Sequence, residues 1–305
     1  MTDLKTLIAG AANKEAFQTL QDYVDFSLRF LEYIASNKQA EIIAGNDHDY
    51  RFYQFNADAA FKVTRPFNSK LLYDLGKADT SYKLFVNGLA ELEKNKDKAN
   101  IPDRSVLNNS VYTIQQSIGF ALDAGTAVGV EPNVARKING DLFERLVYII
   151  IRAIGLDCTS GTISVPVKVR GHTAFNMKYQ HDLIIKGDSG EIKVIGSVKT
   201  TSKDRVDKIF IDKFLYCKLT DTRIPHIAVF LHDVQRGKKT KKENEYGVSS
   251  TFLPGHFKGY TVKLNPLDGV YYVDLRPNML TDSILKQQIS NFDALLCGDI
   301  WKHMK

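Results

Sequence analysis

The run His181-Asp182-Leu183-Ile184-Ile185-Lys186-Gly187-Asp188-Ser189-Gly190-Glu191-Ile192-Lys193-Val194-Ile195-Gly196-Ser197-Val198-Lys199 sets two short apolar segments on either side of a polar, glycine-bounded turn. Gly187-Asp188-Ser189-Gly190 has the composition of a hairpin turn, so Asp182–Lys186 and Glu191–Lys199 are predicted to pair as antiparallel strands. Pairing Lys186 with Glu191 sets Asp182 opposite Ile195 and diagonal to Ser197, with Lys199 farther along. Side chains alternate along a strand, so Asp182, Ser197 and Lys199 are expected on one face and His181 on the other, as a packed residue. A carboxylate and a lysine brought together at a strand end can hold a divalent cation and orient an attacking water. A rival triple, Asp182 with Glu191-Ile192-Lys193, fails on distance. Glu191 lies beside the turn, about 13 Å along the strand from Asp182.

Outward from this hairpin, Asn133–Gly155 reads as a strong helix ending at a glycine. Thr162–Val169, with Ile163, Val165, Val167 and Val169 alternating, reads as a strand. Lys203–Leu219 reads as a helix with Val206, Ile209, Phe210, Phe214 and Cys217 on its apolar side. Ile227–Leu231 is a short, wholly apolar strand. The order from 133 to 231 is therefore α, β, β, β, α, β, which predicts an α/β (α+β) fold with a mixed sheet between helices. Val262–Leu264 and Val270–Leu275 are expected as further strands, and Asp282–Lys302 as a closing helix. Residues 1–130 are expected to be a mainly helical region, with helices over Thr19–Ile34, Tyr82–Leu92 and Ser105–Ala124. The aromatic-rich segment Asp47–Pro66 fits neither periodicity. The second region, 131–305, then holds the core and a C-terminal extension.

Composition narrows the function classes. The 305 residues carry 44% hydrophobic and 25% charged residues, ordinary for a globular chain able to bury a large core. No apolar run is long enough to cross a bilayer, and the first residues lack the pattern of a secretory signal, which implies a cytosolic protein with no membrane partner. Cys158, Cys217 and Cys297 are too scattered for a zinc site or a disulfide framework and read as reduced. A net charge of +6 tilts toward a polyanionic partner. The densest cluster is Arg236-Gly237-Lys238-Lys239-Thr240-Lys241-Lys242, which is either a solvated loop tip or a tracker of phosphates, with Arg236, Lys238 and Lys239 the candidate contacts.

The αβββαβ order, the strand aspartate and the lysine ending the next strand resemble the PD-(D/E)xK nucleases, which include many Type II restriction endonucleases. That resemblance implies a nuclease core, Mg²⁺ as cofactor, double-stranded DNA as partner and a homodimer or tetramer acting on a palindrome. The acid these enzymes usually carry two residues before the lysine is replaced here by Ser197. One branch, which reads CCGG or CCNGG, moves that acid to the following helix, thirteen or fourteen residues after the lysine. Asp212 stands thirteen after Lys199. The same branch has a basic–acidic–basic cluster after the lysine, matched by Lys203-Asp204-Arg205. Arg donates to guanine and a carboxylate accepts from cytosine, so such a cluster can read G·C pairs, although Lys203 lacks the planar fork of Arg. Asn139-Gly140-Asp141-Leu142-Phe143-Glu144 is similar to the Gly-x-x-Phe-Glu stretch that opens many such cores, implying that Glu144 joins Asp182 and Asp212 at the metal. Plain surface pairs, Asp212 with Lys208 and Glu144 near Arg145, are the competing readings. The implied activity is site-specific hydrolysis of duplex DNA. A structure-specific repair nuclease and a non-catalytic DNA-binding protein on a nuclease fold are the alternatives.

Overall fold

The structure, a computed structural model, describes residues 3–55, 63–127, 129–203, 205–237 and 246–305. In chain order the main elements are α1 (Leu4–Ala12), α2 (Leu20–Asn37), β1 (Lys38–Ile43), β2 (Tyr50–Phe55), β3 (Phe67–Asn68), α3 (Leu75–Asn95), α4 (Ser105–Ala127) and α5 (Pro132–Ala153). They continue with β4 (Asp157–Val169), β5 (His172–Lys186), β6 (Ile192–Thr201), α6 (Val206–Thr220), β7 (His226–His232), β8 (Val234–Arg236) and β9 (Val248–Ser250). Last come α7 (Pro254–Gly259), β10 (Gly269–Tyr272), α8 (Ser283–Gln288), β11 (Ile289–Asn291) and a run of helical turns to Met304. The chain forms two compact units, each assembled from three segments. One takes Met1–Gly88, Ile101–Ile149 and Asp233–Thr251; the other takes Leu89–Asn100, Ile150–His232 and Phe252–Lys305.

In the first unit, α2 starts at a reciprocal cap. The Thr19 hydroxyl accepts from the Asp22 N–H while the Asp22 carboxylate accepts from the Thr19 N–H at 2.7 Å. Its apolar side buries Tyr23, Phe26, Phe30 and Ile34, spaced three or four apart as a helix face requires. Within the aromatic segment the sequence left unplaced, Tyr50–Phe55 is strand β2, paired antiparallel with β1 and β3, and residues 56–62 lie outside the described residues. Tyr50, Phe52, Tyr53 and Phe55 are all buried, so both faces of the strand are covered and no alternation shows in the sequence. The Tyr53 and Phe55 rings interlock with Phe30, Phe67 and Phe120; Tyr53 and Phe67 lie 4.4 Å apart, and Phe67 and Phe120 5.4 Å. Beside this core, Arg65 grips Asp123 through Nε and Nη2 at 2.8 and 2.7 Å. Strands β8 and β9 belong to the same unit: Val234 and Val248 pack with Ala44, Tyr50 and Phe52. Asn46 makes two 2.8 Å hydrogen bonds with the Val248 backbone, donating one and accepting the other.

The second unit holds the expected mixed sheet. Its six strands run in the order β11-β10-β7-β6-β5-β4, antiparallel through β4, β5 and β6 and parallel from β6 to β11. Strand β7 is buried at all seven positions, which is why Ile227–Leu231 shows no alternation. Helix α6 covers one side, with Ile209 and Phe210 packed among Ala228, Phe230, Phe257, Val270 and Tyr272. Burying a side chain such as Phe210 or Phe230 contributes about 2–3 kcal/mol each.

Four expectations are corrected here. The β5–β6 register pairs Lys186 with Ile192, one residue from the simple register, and, past a bulge between Lys186 and Ile185, Ile185 with Val194 and Ile184 with Ile195, two residues from it. A shift of two keeps the same residues on the same face. Val262–Leu264 is no strand but part of a wide helical turn, Tyr260–Leu264. The closing segment is not one helix: α8 gives way to β11, which pairs parallel to β10, before the helical turns resume. Finally, β5 is far longer than Asp182–Lys186. It pairs with β4 from Asp157↔Lys186 to Val169↔His172, closing on the two-residue turn Arg170-Gly171, both with positive φ (52° and 84°). Two successive left-handed residues match the twist of the flanking strands, and Gly171 accepts that conformation without steric cost.

Candidate active site

Strands β5 and β6 pair from Lys186 to Leu183, opposite Gly196, and then part. β6 goes on against β7 as far as Thr201↔His232, while β5, among the described residues, goes on against β4 alone. Asp182 stands at the fork. Its Oδ2 accepts from the Val198 N–H at 2.8 Å and from the Lys199 ammonium at 2.6 Å. The carboxylate thus takes up a backbone donor of β6 at the point where β5 leaves it. The Asp182 side chain is 13% exposed and that of Lys199 29%, so the pair is partly shielded but reachable.

Register fixes the side on which these groups lie. Ile195 pairs with His226, Ser197 with Ala228 and Lys199 with Phe230, and residues directly paired across neighbouring strands share a face. Ala228 and Phe230 pack under α6, so Ser197 and Lys199 look toward α6 as well. Gly196 faces the other way, where an added Cβ would lie 2.9 Å from Leu183 Cδ1. Its lack of a side chain allows Leu183 to close over β6 beside the fork.

His181 was expected on the opposite sheet face, and the structure corrects this. Between Thr159↔Ile184 and Gly161↔His181, β4 advances two residues and β5 three, so β5 carries a bulge at the fork. The bulge turns His181 to the α6 side, with its ring 5.9 Å from Tyr216 and 6.3 Å from His226. Both imidazoles are buried, as expected of packed residues. Burial holds the His181 ring below its ordinary range, opposed by the charges of Asp212 and Asp182. Burial pushes His226 down to about 4, opposed by its Nδ1 contact with the Ile224 carbonyl.

Asp212, on α6, is ion-paired with Lys208 one turn earlier. Its charge nonetheless reaches both His181 and the Tyr179 hydroxyl, whose ionisation is raised first by burial and then by Asp212. Asp212 and Asp182 each oppose the effect of burial on His181, so each lies within electrostatic reach of that ring. Ser197 lies half-buried on the same side. Glu144 is half-buried on α5 in the other compact unit, where its neighbour Arg145 donates to the Lys14 and Phe17 carbonyls at 2.5 and 3.2 Å. Lys203 and Arg205 are exposed at the entrance to α6, Arg205 in the N-cap position; Asp204 lies outside the described residues. Arg236 is engaged within its own unit. Its Nη2 donates to the Val63 and Thr64 carbonyls at 2.8 Å each, and its guanidinium lies 5.4 Å from the Phe52 ring. Lys238 and Lys239 lie outside the described residues.

The donors near the fork are carboxylate oxygens, the chemistry of hard cations such as Mg²⁺. Among the described residues no group of three His, Cys, Asp or Glu side chains is arranged to hold a metal ion. Asp182 and Asp212 are instead each neutralised by a lysine. The cysteines are free, and burial pushes the Cys158 thiol up to about 12. Sequence reasoning missed the Val198 amide, which no side-chain pattern could reveal, and the approach at Gly196, which a glycine inside a strand does signal.

No protein-family model matches the sequence, and no curated protein does. Among solved structures, the chain is similar to the Type IIP restriction endonuclease Kpn2I, with a TM-score of 0.72 over 99% of this chain and 97% of that one, at 16% identity. A weaker likeness, TM-score 0.40 at 10% identity, covers 73% of this chain and 92% of the restriction endonuclease PspGI, solved with substrate DNA. The fold is that of a Type II restriction endonuclease. No helix among the described residues is long and apolar enough to cross a membrane.

Proposed function

We propose that this protein is a Type II restriction endonuclease that hydrolyses both strands of duplex DNA at a G·C-rich palindrome with a CCGG- or CCNGG-like core. The observation that carries this reading is the Asp182–Lys199 contact at a strand fork, in a chain whose whole length follows the fold of Kpn2I. Mg²⁺, when bound, would polarise the scissile phosphate and acidify a water. The chain's own groups supply the rest. Asp182, fixed by the Val198 amide, and Asp212 would offer the carboxylates. Lys199 offers an ammonium that orients the attacking water and offsets negative charge developing on the phosphate. Ser197, in the place of the usual acid, contributes at most a neutral oxygen.

Lys203, Asp204 and Arg205, leading into α6, would read neighbouring G·C pairs in the major groove, each good bidentate contact giving roughly 1–3 kcal/mol of discrimination. A palindromic site calls for a two-fold symmetric homodimer. Plasmid DNA incubated with the protein and Mg²⁺ tests the reading. Discrete fragments whose mapped ends share a G·C-rich core are expected. Smearing, or cutting confined to junctions, would favour a repair nuclease; retained binding without cleavage would favour a non-catalytic DNA-binding protein.

A further inference from the structure

Past the fork at Asp182, β4 and β5 run on as a two-stranded ribbon with no third strand beside them among the described residues. At the root, Val165 and Tyr179, each 4% exposed, pack with Ile163 and Met177 against Tyr216, Leu215 and Leu219 of α6. Nearer the tip that support ends, and Phe175 and Val169 stand 57% and 56% exposed. An isolated two-stranded hairpin is marginal in water, so a ribbon this long calls for something to lie against.

Its charge indicates what. Residues 161–180 contain Lys168, Arg170, Lys178 and His172 and no aspartate or glutamate at all. The three permanent cations are exposed. Lys168 shares a face of β4 with Thr162, Ser164 and Pro166, and Lys178 pairs across from Ser164, so both lysines leave from the polar side of the ribbon. The apolar row Ile163-Val165-Val167 occupies the opposite side. From Asp182 to His172 the strand covers about 34 Å at its usual rise, about one turn of B-form DNA.

We propose that the β4–β5 ribbon is a second DNA-contacting element, which lies along the duplex flanking the cleavage site and neutralises phosphates through Lys168, Arg170 and Lys178. This rests on the endonuclease reading for its partner. An acid-free ribbon suits a polyanion and repels another copy of itself, so duplex DNA is favoured over ribbon-to-ribbon pairing of two protomers. The contacts are to phosphate, so they add affinity without choosing sequence.

The test compares the full-length protein with Lys168→Ala/Arg170→Ala/Lys178→Ala and with Lys168→Arg/Lys178→Arg. Binding is measured on a duplex of about 40 base pairs and on one of about 10 base pairs, over a range of salt. The alanine variant is expected to bind the long duplex about tenfold more weakly or worse, with a salt slope shallower by about 2 to 3, and to match the parent on the short one. The arginine variant should keep the parent's slope. Equal affinity and slope for parent and alanine variant on the long duplex would overturn the proposal. So would a change of oligomeric state in the alanine variant with DNA binding intact, which would make the ribbon a self-association surface. Cleavage by Lys199→Ala separates the two readings. Loss of plasmid cutting with ribbon-dependent binding retained supports both. A parent protein that never cuts but still shows the ribbon effect removes the endonuclease reading and leaves the ribbon's contact with DNA standing.

Discussion

Asp182 and Lys199 meet at 2.6 Å where β5 and β6 stop pairing, and the same carboxylate oxygen also holds the Val198 amide. The amide fixes the carboxylate to the backbone of β6, so the lysine can move without releasing the aspartate. In the proposed reaction Lys199 would leave the carboxylate as a cation arrives and turn its ammonium to the water. Lys199→Ala is therefore expected to lower cleavage about a thousandfold while leaving DNA affinity within a few-fold. Single-turnover cleavage and gel-shift binding on the same duplex check both halves. A variant that cuts at the parent rate would remove the site assignment.

Asp212 is ion-paired with Lys208 on its own helix, and its charge acts on His181. If it serves the cation, Asp212→Asn should raise the Mg²⁺ concentration needed for half-maximal cutting and lower the maximal rate, whereas Lys208→Ala should do neither. Parent kinetics in Asp212→Asn would return the residue to a surface pair. The role that sequence resemblance gives Glu144 is checked by the same titration on Glu144→Gln.

Arg205 is exposed ahead of α6, where one arginine would contribute about 1–3 kcal/mol of discrimination, roughly a five- to 150-fold preference. Arg205→Ala should therefore relax site choice more than it weakens non-specific binding. Competition between a cognate duplex and a scrambled one measures this, and an unchanged ratio would refute the readout.

His226 is buried and held at about 4, against an ordinary value of 6.5. Between those values the unfolded chain takes up a proton that the folded chain refuses, so acid favours unfolding. The stabilisation is complete above about pH 6.5 and is lost as pH falls toward about 4, on the order of 3 kcal/mol in all. Melting temperatures from about pH 7 to about pH 4.5 should fall less steeply for His226→Gln than for the parent. Parallel curves would show that another group governs acid sensitivity.

Arg65 lies so close over α4 that an added Cβ at Gly119 would meet its Nη1 at 2.7 Å. Gly119→Ala must displace the guanidinium from Asp123, and Arg65→Ala removes it. Each is expected to cost about 2 kcal/mol, and the double variant less than their sum, since both break one contact. Denaturant melts of the three proteins supply the cycle; strict additivity would contradict the shared origin.

The sheet was legible because β5 near its turn and β7 carry continuous apolar runs and a glycine-bounded turn joins β5 to β6, and the spacing from Lys199 to Asp212 needs only counting. The register was legible only to within two residues, since nothing in the composition marks the bulge beside Glu191. The bulge that turns His181 was invisible for the same reason. The outer half of β5 escaped because its alternation, Phe175, Met177 and Tyr179, follows an Arg170-Gly171 turn in place of the usual Asn-Gly signal. The β2 segment escaped because burial on both faces erases the period that sequence reasoning depends on.

The place of β8 and β9 bears on how the molecule is made. They add Val234 and Val248 to a cluster begun by Ala44, Tyr50 and Phe52, and Asn46 is satisfied by Val248, 202 residues later. A ribosome that has released the first hundred and fifty residues has therefore not yet supplied what the first unit needs to close. Its folding must wait until the strands, helix and fork of the other unit have emerged. Early release or truncation before Thr251 would leave both units incomplete, so the first unit should close late in synthesis, after most of the second has emerged.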